Sequence, residues 1–279
     1  MVTLDNQVGF VVGTGRCGTR FINRVVGIEP LVASSHERNV LNESFHRYCR
    51  WYGLPVDDEG FLHVKESEIH GDLENHAFSF EASAQLSSSI EALYRRFNAR
   101  FVLLVRRPHQ VVNSFIRKGH YTEPFVRANE NLALGYQASR SFHHFLGRIA
   151  PSGDKFLQWN RMSRVGKLAW LWSAVNATVL KQFKRIPNSH QRIVKLEELT
   201  YDQYGELAEF LGFKITLTRE KYEEISQSRP NAQTGVPDIA QWSRLEIAEF
   251  EAEVAPVADT LGYTFKVQDL AMKGTSLRG

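Results

Sequence analysis

Residues 8–28 constrain this chain more than any other stretch. They read Val-Gly-Phe-Val-Val, then Gly-Thr-Gly-Arg-Cys-Gly, then Thr-Arg-Phe-Ile-Asn-Arg-Val-Val-Gly-Ile. The opening run is apolar and rich in β-branched residues, as a buried parallel strand would be. Gly13, Gly15 and Gly18 permit a tight loop and close backbone approach. Phe21, Ile22, Val25 and Val26 then recur at helical spacing. A strand, a glycine loop and a helix in that order aim several backbone N–H groups and a positive dipole end at one spot. That spot suits an anion, most often a phosphate.

Three anion-binding readings fit the loop. As an ATP-type P-loop, Gly13-x4-Gly18 has the right spacing, but Thr19 stands where lysine is required. As a dinucleotide fingerprint, Gly13-x-Gly15-x-x-Gly18 matches, and Glu37 follows at about the distance of a ribose-binding acid. In the third, Arg16 neutralises a transferring anion from inside the loop. A tight βα turn that binds nothing is the bland alternative.

A second stretch, residues 101–119, separates these readings. Phe-Val-Leu-Leu-Val at 101–105 is another buried strand, and it ends in Arg106-Arg107-Pro108. An NTPase would end such a strand with a magnesium-holding aspartate; here two positive charges stand in its place. Pro108 opens a helix where its missing N–H does no harm. Val111, Val112 and Phe115 form its apolar face, with Ser114 about two turns in. Arg106 and Ser114 are expected to converge on a second phosphate, for which a pure NAD enzyme has no use.

With both motifs in hand, the chain resembles the sulfotransferases that use 3′-phosphoadenosine 5′-phosphosulfate (PAPS), closest in pattern to the tyrosylprotein and bacterial branches. The 5′-phosphosulfate loop of that family is matched by Gly13, Thr14, Gly15, Arg16, Cys17, Gly18, Thr19 and Arg20, and its 3′-phosphate motif by residues 106–114. The resemblance implies cofactor contacts from these loop residues, from Arg106 and Ser114, and from Lys118 further along the same helix. It implies Glu37 as general base, with His36 as the runner-up; an acceptor hydroxyl must lose its proton as the new bond forms. Strand alternation would let only one of the two face the acceptor. A Glu-x-Ser-like element of the family is matched weakly by Glu81 and Ser83. Its Tyr-Glu-x-Leu element has Leu196 in place of the tyrosine, followed by Glu197. Its late cofactor-covering loop falls on residues 226–242, where Ser226, Ser228 and Arg229 are available but Gln241 replaces a lysine.

Composition sets the remaining bounds. The chain has 279 residues, 43% hydrophobic and 23% charged, as expected of a globular protein with a sizeable core. A net charge of +3 suits an anionic cofactor and is too small to argue for nucleic acid. Cys17 and Cys49 show no metal-ligand spacing and fit a reducing, cytoplasmic setting. No run of about 18 apolar residues suggests a membrane span, and no signal peptide precedes the first strand. Phe45, Tyr48, Trp51 and Tyr52 at helical spacing read as packing, Asp57-Asp58-Glu59-Gly60 as a solvated acidic turn, and residues 245–261 as an amphipathic helix interrupted at Pro256.

The sequence therefore predicts one α/β domain over residues 1–279: a P-loop-like three-layer α/β/α fold with a central, mainly parallel sheet. Residues 119–160 would be a helical acceptor-side insertion and 273–279 a frayed tail. The expected reaction moves a sulfuryl group from PAPS to a hydroxyl, or an amine, of a small-molecule, carbohydrate or peptide acceptor. It leaves 3′-phosphoadenosine 5′-phosphate and needs no metal. Acceptor and oligomeric state stay open. The rivals are an NAD(P)-dependent oxidoreductase using residues 13–18 with Glu37, and a non-catalytic binder of sulfated or phosphorylated ligands.

Overall fold

Five short parallel strands organise the chain: β1 (Val8–Val12), β2 (Val32–His36), β3 (Phe78–Ala82), β4 (Arg100–Val105) and β5 (Gln191–Lys195). Their order across the sheet is β2-β3-β1-β4-β5, every pairing parallel. This is a computed structural model, and it describes residues 7–121, 148–228 and 239–269. Phe10 of β1 lies opposite Phe101 of β4, their rings stacked at 5.5 Å between centroids. Parallel neighbours need crossover connections. These are helical: α1 (Thr19–Val26) after β1, α2 (Val40–Tyr52) and α3 (Asp58–Leu73) after β2, and α4 (Ile90–Phe97) after β3. The chain then runs through α5 (Pro108–Arg117), α6 (Asp154–Arg161) and α7 (Arg164–Phe183) to β5, and on through α8 (Tyr201–Leu211), α9 (Arg219–Gln227) and α10 (Arg244–Thr260). A parallel sheet with helices on its faces is the expected α/β architecture.

The described residues divide into two compact units. The first holds the whole sheet and takes residues 7–106 and 178–228; the second takes 107–121, 148–177 and 239–269. In the first unit, successive side chains of a strand go to opposite faces. Val11, Phe78, Phe80, Ala82, Val102 and Leu104 pack on one face with Ile22, Val25 and Val26 of α1, Tyr204 and Leu207 of α8, and Tyr222 of α9. The other face of β3 is polar. Ser79 bonds to Asp72, and Glu81 to Lys65, both on α3. All five β3 residues are nonetheless buried.

The acidic run at 57–60 is not merely solvated. Asp57 caps α3 by accepting from the Gly60 amide at 2.8 Å, and Asp58 pairs with both His46 and Arg50. Packing by Phe45 also does not hold. Phe45 is 51% exposed, because the buried side of α2 is Glu43, Ser44, His46, Arg47 and Cys49.

In the second unit, Pro108 opens α5 as expected. Arg164 closes the other end of that helix, donating to the carbonyls of Ile116 and His120 at 2.5 and 2.7 Å. Tyr121, Trp159 and Trp170 meet edge to face, and Trp172 is fully buried. α10 starts with a Ser243–Glu246 capping box and runs unbroken past Pro256 to Thr260. The apolar stripe of Phe250, Val254, Val257 and Ala258 stays buried across the proline and holds the helix together despite the missing N–H. Among the described residues no helix is long and apolar enough to cross a membrane.

Candidate active site

The loop between β1 and α1 is shaped by contacts that only glycine allows at two positions. A Cβ on Gly13 would lie 2.5 Å from the Leu104 carbonyl oxygen and 2.7 Å from Cys17 Sγ. Gly13 is therefore required by close approach. Gly18 has φ of 113°, and a Cβ there would also meet Leu196 at 2.7 Å. Leu196, standing where a tyrosine was expected, thus packs on the loop. Arg16 adopts a left-handed φ of 58°, which costs a non-glycine residue roughly 1–2 kcal/mol. Arg106 Nη1 holds that turn by donating to the Arg16 carbonyl at 3.2 Å. Ser87 Oγ donates to the Gly13 carbonyl at 2.8 Å, and Thr14 Oγ1 to that of Gly15 at 2.8 Å.

The loop delivers the chain to α1 with its N-terminus open. Gly18 supplies no side-chain cap, and the first turn carries no acid. The amide groups and dipole of that end are therefore not neutralised by the helix's own first turn. Positive charge accumulates beside it. Burial, then the like charges of Arg20 and Arg106, hold the Arg16 pKa below its ordinary value. An anion would relieve that repulsion. Cys17 is wholly buried and its thiol is pushed up to about 11 by burial, so it is no nucleophile. Both cysteines are free thiols.

The sheet order places this loop at a topological switch. β1 leads away to β2 on one side, while its neighbour β4 leads to β5 on the other. A crevice opens beyond the carboxyl ends of two such diverging strands, where ligands of open α/β sheets bind. The Arg106–Arg16 contact spans it. The order also bears on the dinucleotide reading. There the ribose-binding acid ends a strand adjacent to the first, in the order 3-2-1. Here β3 stands between β1 and β2, so Glu37 follows a strand that does not neighbour the loop strand.

His36 ends β2 and Glu37 follows it. Alternation between them does not apply, because Glu37 lies past the strand with a left-handed φ of 47°. The turn brings His36 Nδ1 within 3.9 Å of Glu37 Oε2. His36 Nε2 lies 3.0 Å from Thr19 Oγ1, which ties the strand tip to the first residue of α1. Burial, then the charge of Arg20, lowers the His36 pKa, so the ring is neutral at pH 7. The Glu37 pKa is raised, first by burial and then by Glu43, while Arg20, Arg47 and Arg16 oppose the shift. Glu37 is a part-exposed carboxylate with three arginines around it.

Beneath this turn lies a group that sequence reasoning did not assemble. Lys65 Nζ contacts Glu43 Oε1 at 2.5 Å, Glu81 Oε2 at 2.9 Å and Glu68 Oε2 at 2.9 Å. Ser83 Oγ donates to Glu43 Oε2 at 2.6 Å. Glu81 and Ser83 are therefore buried network members, and Glu81 at 4% exposure has no open face for a substrate. A Ser89–His46–Asp58 chain at 3.1 and 2.8 Å has the connectivity of a hydrolytic triad. Ser89 is 1% exposed, and His46 stacks on Phe61 at 3.8 Å, so that chain is packing.

The remaining expected contacts lie on other elements. Ser114 is half-buried on α5 in the second unit, and Lys118 is the exposed residue just past that helix's end. Ser226 lies on α9, and Ser228 accepts from Arg24 of α1 at 3.4 Å. Arg229, much of the 119–160 segment and the 273–279 tail lie outside the described residues.

This is a P-loop-like α/β fold whose glycine loop, arginines and carboxylate gather at one sheet edge. No protein-family model and no curated protein matches the chain. Solved structures do match. The sulfotransferase domain from the curacin biosynthetic pathway is 11% identical, with a TM-score of 0.54 over 92% of this chain and 98% of that one. Sulfotransferase STF9 from Mycobacterium avium is 13% identical, with a TM-score of 0.56 over 93% of this chain and 78% of that one. The chain has the fold of sulfotransferase domains.

Proposed function

We propose that the protein is a PAPS-dependent sulfotransferase that sulfates a hydroxyl, or an amine, of an acceptor. The observation that carries this reading is the cluster of Arg16, Arg20 and Arg106 beside the uncapped α1 N-terminus, at the crevice where β1 and β4 diverge. Such a site asks for a polyanion. Residues 13–20 would cradle its 5′-phosphate, and Arg106, Ser114 and Lys118 are proposed for its 3′-phosphate. The likeness in fold to sulfotransferase domains supports the same reading.

When bound, PAPS supplies a sulfuryl group on an anhydride bond to phosphate. The chain's residues divide the rest of the work. Glu37 takes the proton of the acceptor hydroxyl as that oxygen bonds to sulfur. Arg16 would stabilise negative charge on the departing phosphate, which the α1 amides would hold. Thr19, fixed by neutral His36, orients the phosphate through its hydroxyl. His36 is the alternative base, and its contact with Thr19 favours the orienting role.

A screen of hydroxyl and amine acceptors with sulfur-labelled PAPS tests the reading. Label transfer to an acceptor, lost in Glu37→Gln, supports it. Tight binding of 3′-phosphoadenosine 5′-phosphate without transfer to any acceptor or to water would leave a binding protein instead.

A further inference from the structure

The buried lysine–carboxylate cluster under β2 touches the turn that carries Glu37 by its backbone. Three consecutive amides of that turn are anchored. The Glu37 N–H donates to the Ala82 carbonyl at 3.2 Å. The Arg38 N–H donates to Glu81 Oε1 at 3.1 Å, and the Asn39 N–H to Glu43 Oε1 at 3.2 Å. Lys65 binds the other oxygen of Glu81 and shares Oε1 of Glu43. The Arg38 side chain binds Asp72 of α3 at 2.6 Å and Ser35 of β2 at 2.9 Å. A left-handed glutamate whose own amide and next two residues are anchored in this way has little freedom to move.

Lys65, Glu43 and Glu81 are 1, 1 and 4% exposed. Gathering carboxylates around one lysine at such depth is unfavourable compared with an apolar core of the same volume. Its arrangement is therefore informative. We propose that Glu81 and Glu43, locked by Lys65, are positioning residues that hold the Glu37 carboxylate at the reacting hydroxyl. They act through the amides of Arg38 and Asn39 and touch no substrate themselves. This rests on Glu37 being the base.

The test uses the full chain and PAPS hydrolysis, with water as the acceptor probe. Water's oxygen bonds to sulfur, its proton goes to Glu37, and the phosphate oxygen leaves with the bond pair. Glu81→Met removes the acceptor for the Arg38 amide. Hydrolysis should fall about 10–100-fold, while 3′-phosphoadenosine 5′-phosphate affinity stays within about twofold. Glu81→Gln keeps a carbonyl for that amide and should recover most of the rate. In a Glu37→Gln background, Glu81→Met should add less than about threefold, since an absent base cannot be misplaced. Fully additive losses overturn the positioning role. Normal hydrolysis by Glu37→Gln alone overturns the base assignment, a separate failure. Should Glu81→Met not fold, amide hydrogen exchange of the wild-type protein decides. The Arg38 and Asn39 amides should be protected at least about 10³-fold, and exchange at free-chain rates contradicts the proposal.

Discussion

At Glu37, burial and the Glu43 carboxylate raise the pKa above the ordinary 4.5, while Arg20, Arg47 and Arg16 restrain the rise. A base works only when ionised. Turnover should therefore be lost as pH falls through this raised pKa, and the acid limb of a kcat/KM profile should lie above 4.5. Glu37→Gln should lower turnover about 10²–10⁴-fold and remove the limb. His36→Ala should be milder and act through Thr19; an equal or larger loss would make His36 the base. Arg16→Ala should reduce turnover more than ground-state affinity, because charge on the leaving oxygen grows only in the transition state. Arg16→Lys should keep part of the rate. Steady-state rates at saturating PAPS read both, and an unchanged rate for Arg16→Ala contradicts the role.

The two anion-motif elements were legible from residues alone, because each is an apolar run that ends abruptly in punctuation. Val8–Val12 stops at Gly13, and Arg100–Val105 stops at Arg106-Arg107-Pro108. The α3 helix was not legible. Its run Asp-Glu-Gly-Phe-Leu-His-Val-Lys-Glu-Ser-Glu-Ile-His-Gly-Asp-Leu buries Lys65 beside Phe61, Leu62 and Ile69. Hydrophobic periodicity cannot recognise a charged residue that faces inward to meet carboxylates from α2 and β3. The same blindness hid the polar side of β3 and misread Phe45 of α2. The turn proposed to carry the base was singled out by its distance along the chain, but its left-handed kink, which joins His36 and Glu37, leaves no trace in composition. Loop geometry gives a sharp element-scale test. Gly13→Ala forces a methyl against the Leu104 carbonyl and Cys17. Urea denaturation should show a loss of about 1–3 kcal/mol, the range for overpacking. A neutral effect would mean that the loop does not close on β4 as described.

At the scale of the whole molecule, the buried cluster couples stability to pH. Burial, then the neighbouring Glu43, raises Glu81, whose pKa is pushed up to about 8. A raised folded-state pKa contributes stability that is full below the unfolded value and is lost as pH rises through the folded one. For Glu81 that window runs from about 4.5 to about 8. Burial opposes the charge of Lys65, but the surrounding Glu81, Glu43 and Glu68 side chains raise its pKa above the ordinary 10.5, so its contribution is kept throughout the window. Glu43 is lowered, so its own loss falls at more acid pH. Glu81 should therefore make the urea midpoint decline between pH 5 and 8, against the opposite trend of His36 and His46, whose lowered pKas add stability as pH rises to their ordinary 6.5. Glu81→Gln should flatten that decline, and equal slopes would place the titrating group elsewhere.

Direct calorimetry of the wild-type protein, with ligands that differ in one group, reads what binds where β1 and β4 diverge. A charge-assisted phosphate contact is worth roughly 1.5–3 kcal/mol. 3′-Phosphoadenosine 5′-phosphate should therefore bind at least about tenfold more tightly than 5′-AMP. NAD and NADP should bind more weakly still. Arg106→Ala should narrow the gap between the first two, while also weakening both because Arg106 braces Arg16. Equal affinity for the two adenosine phosphates, or preferential binding of NAD or NADP, would mean that this crevice is not a 3′-phosphoadenosine site.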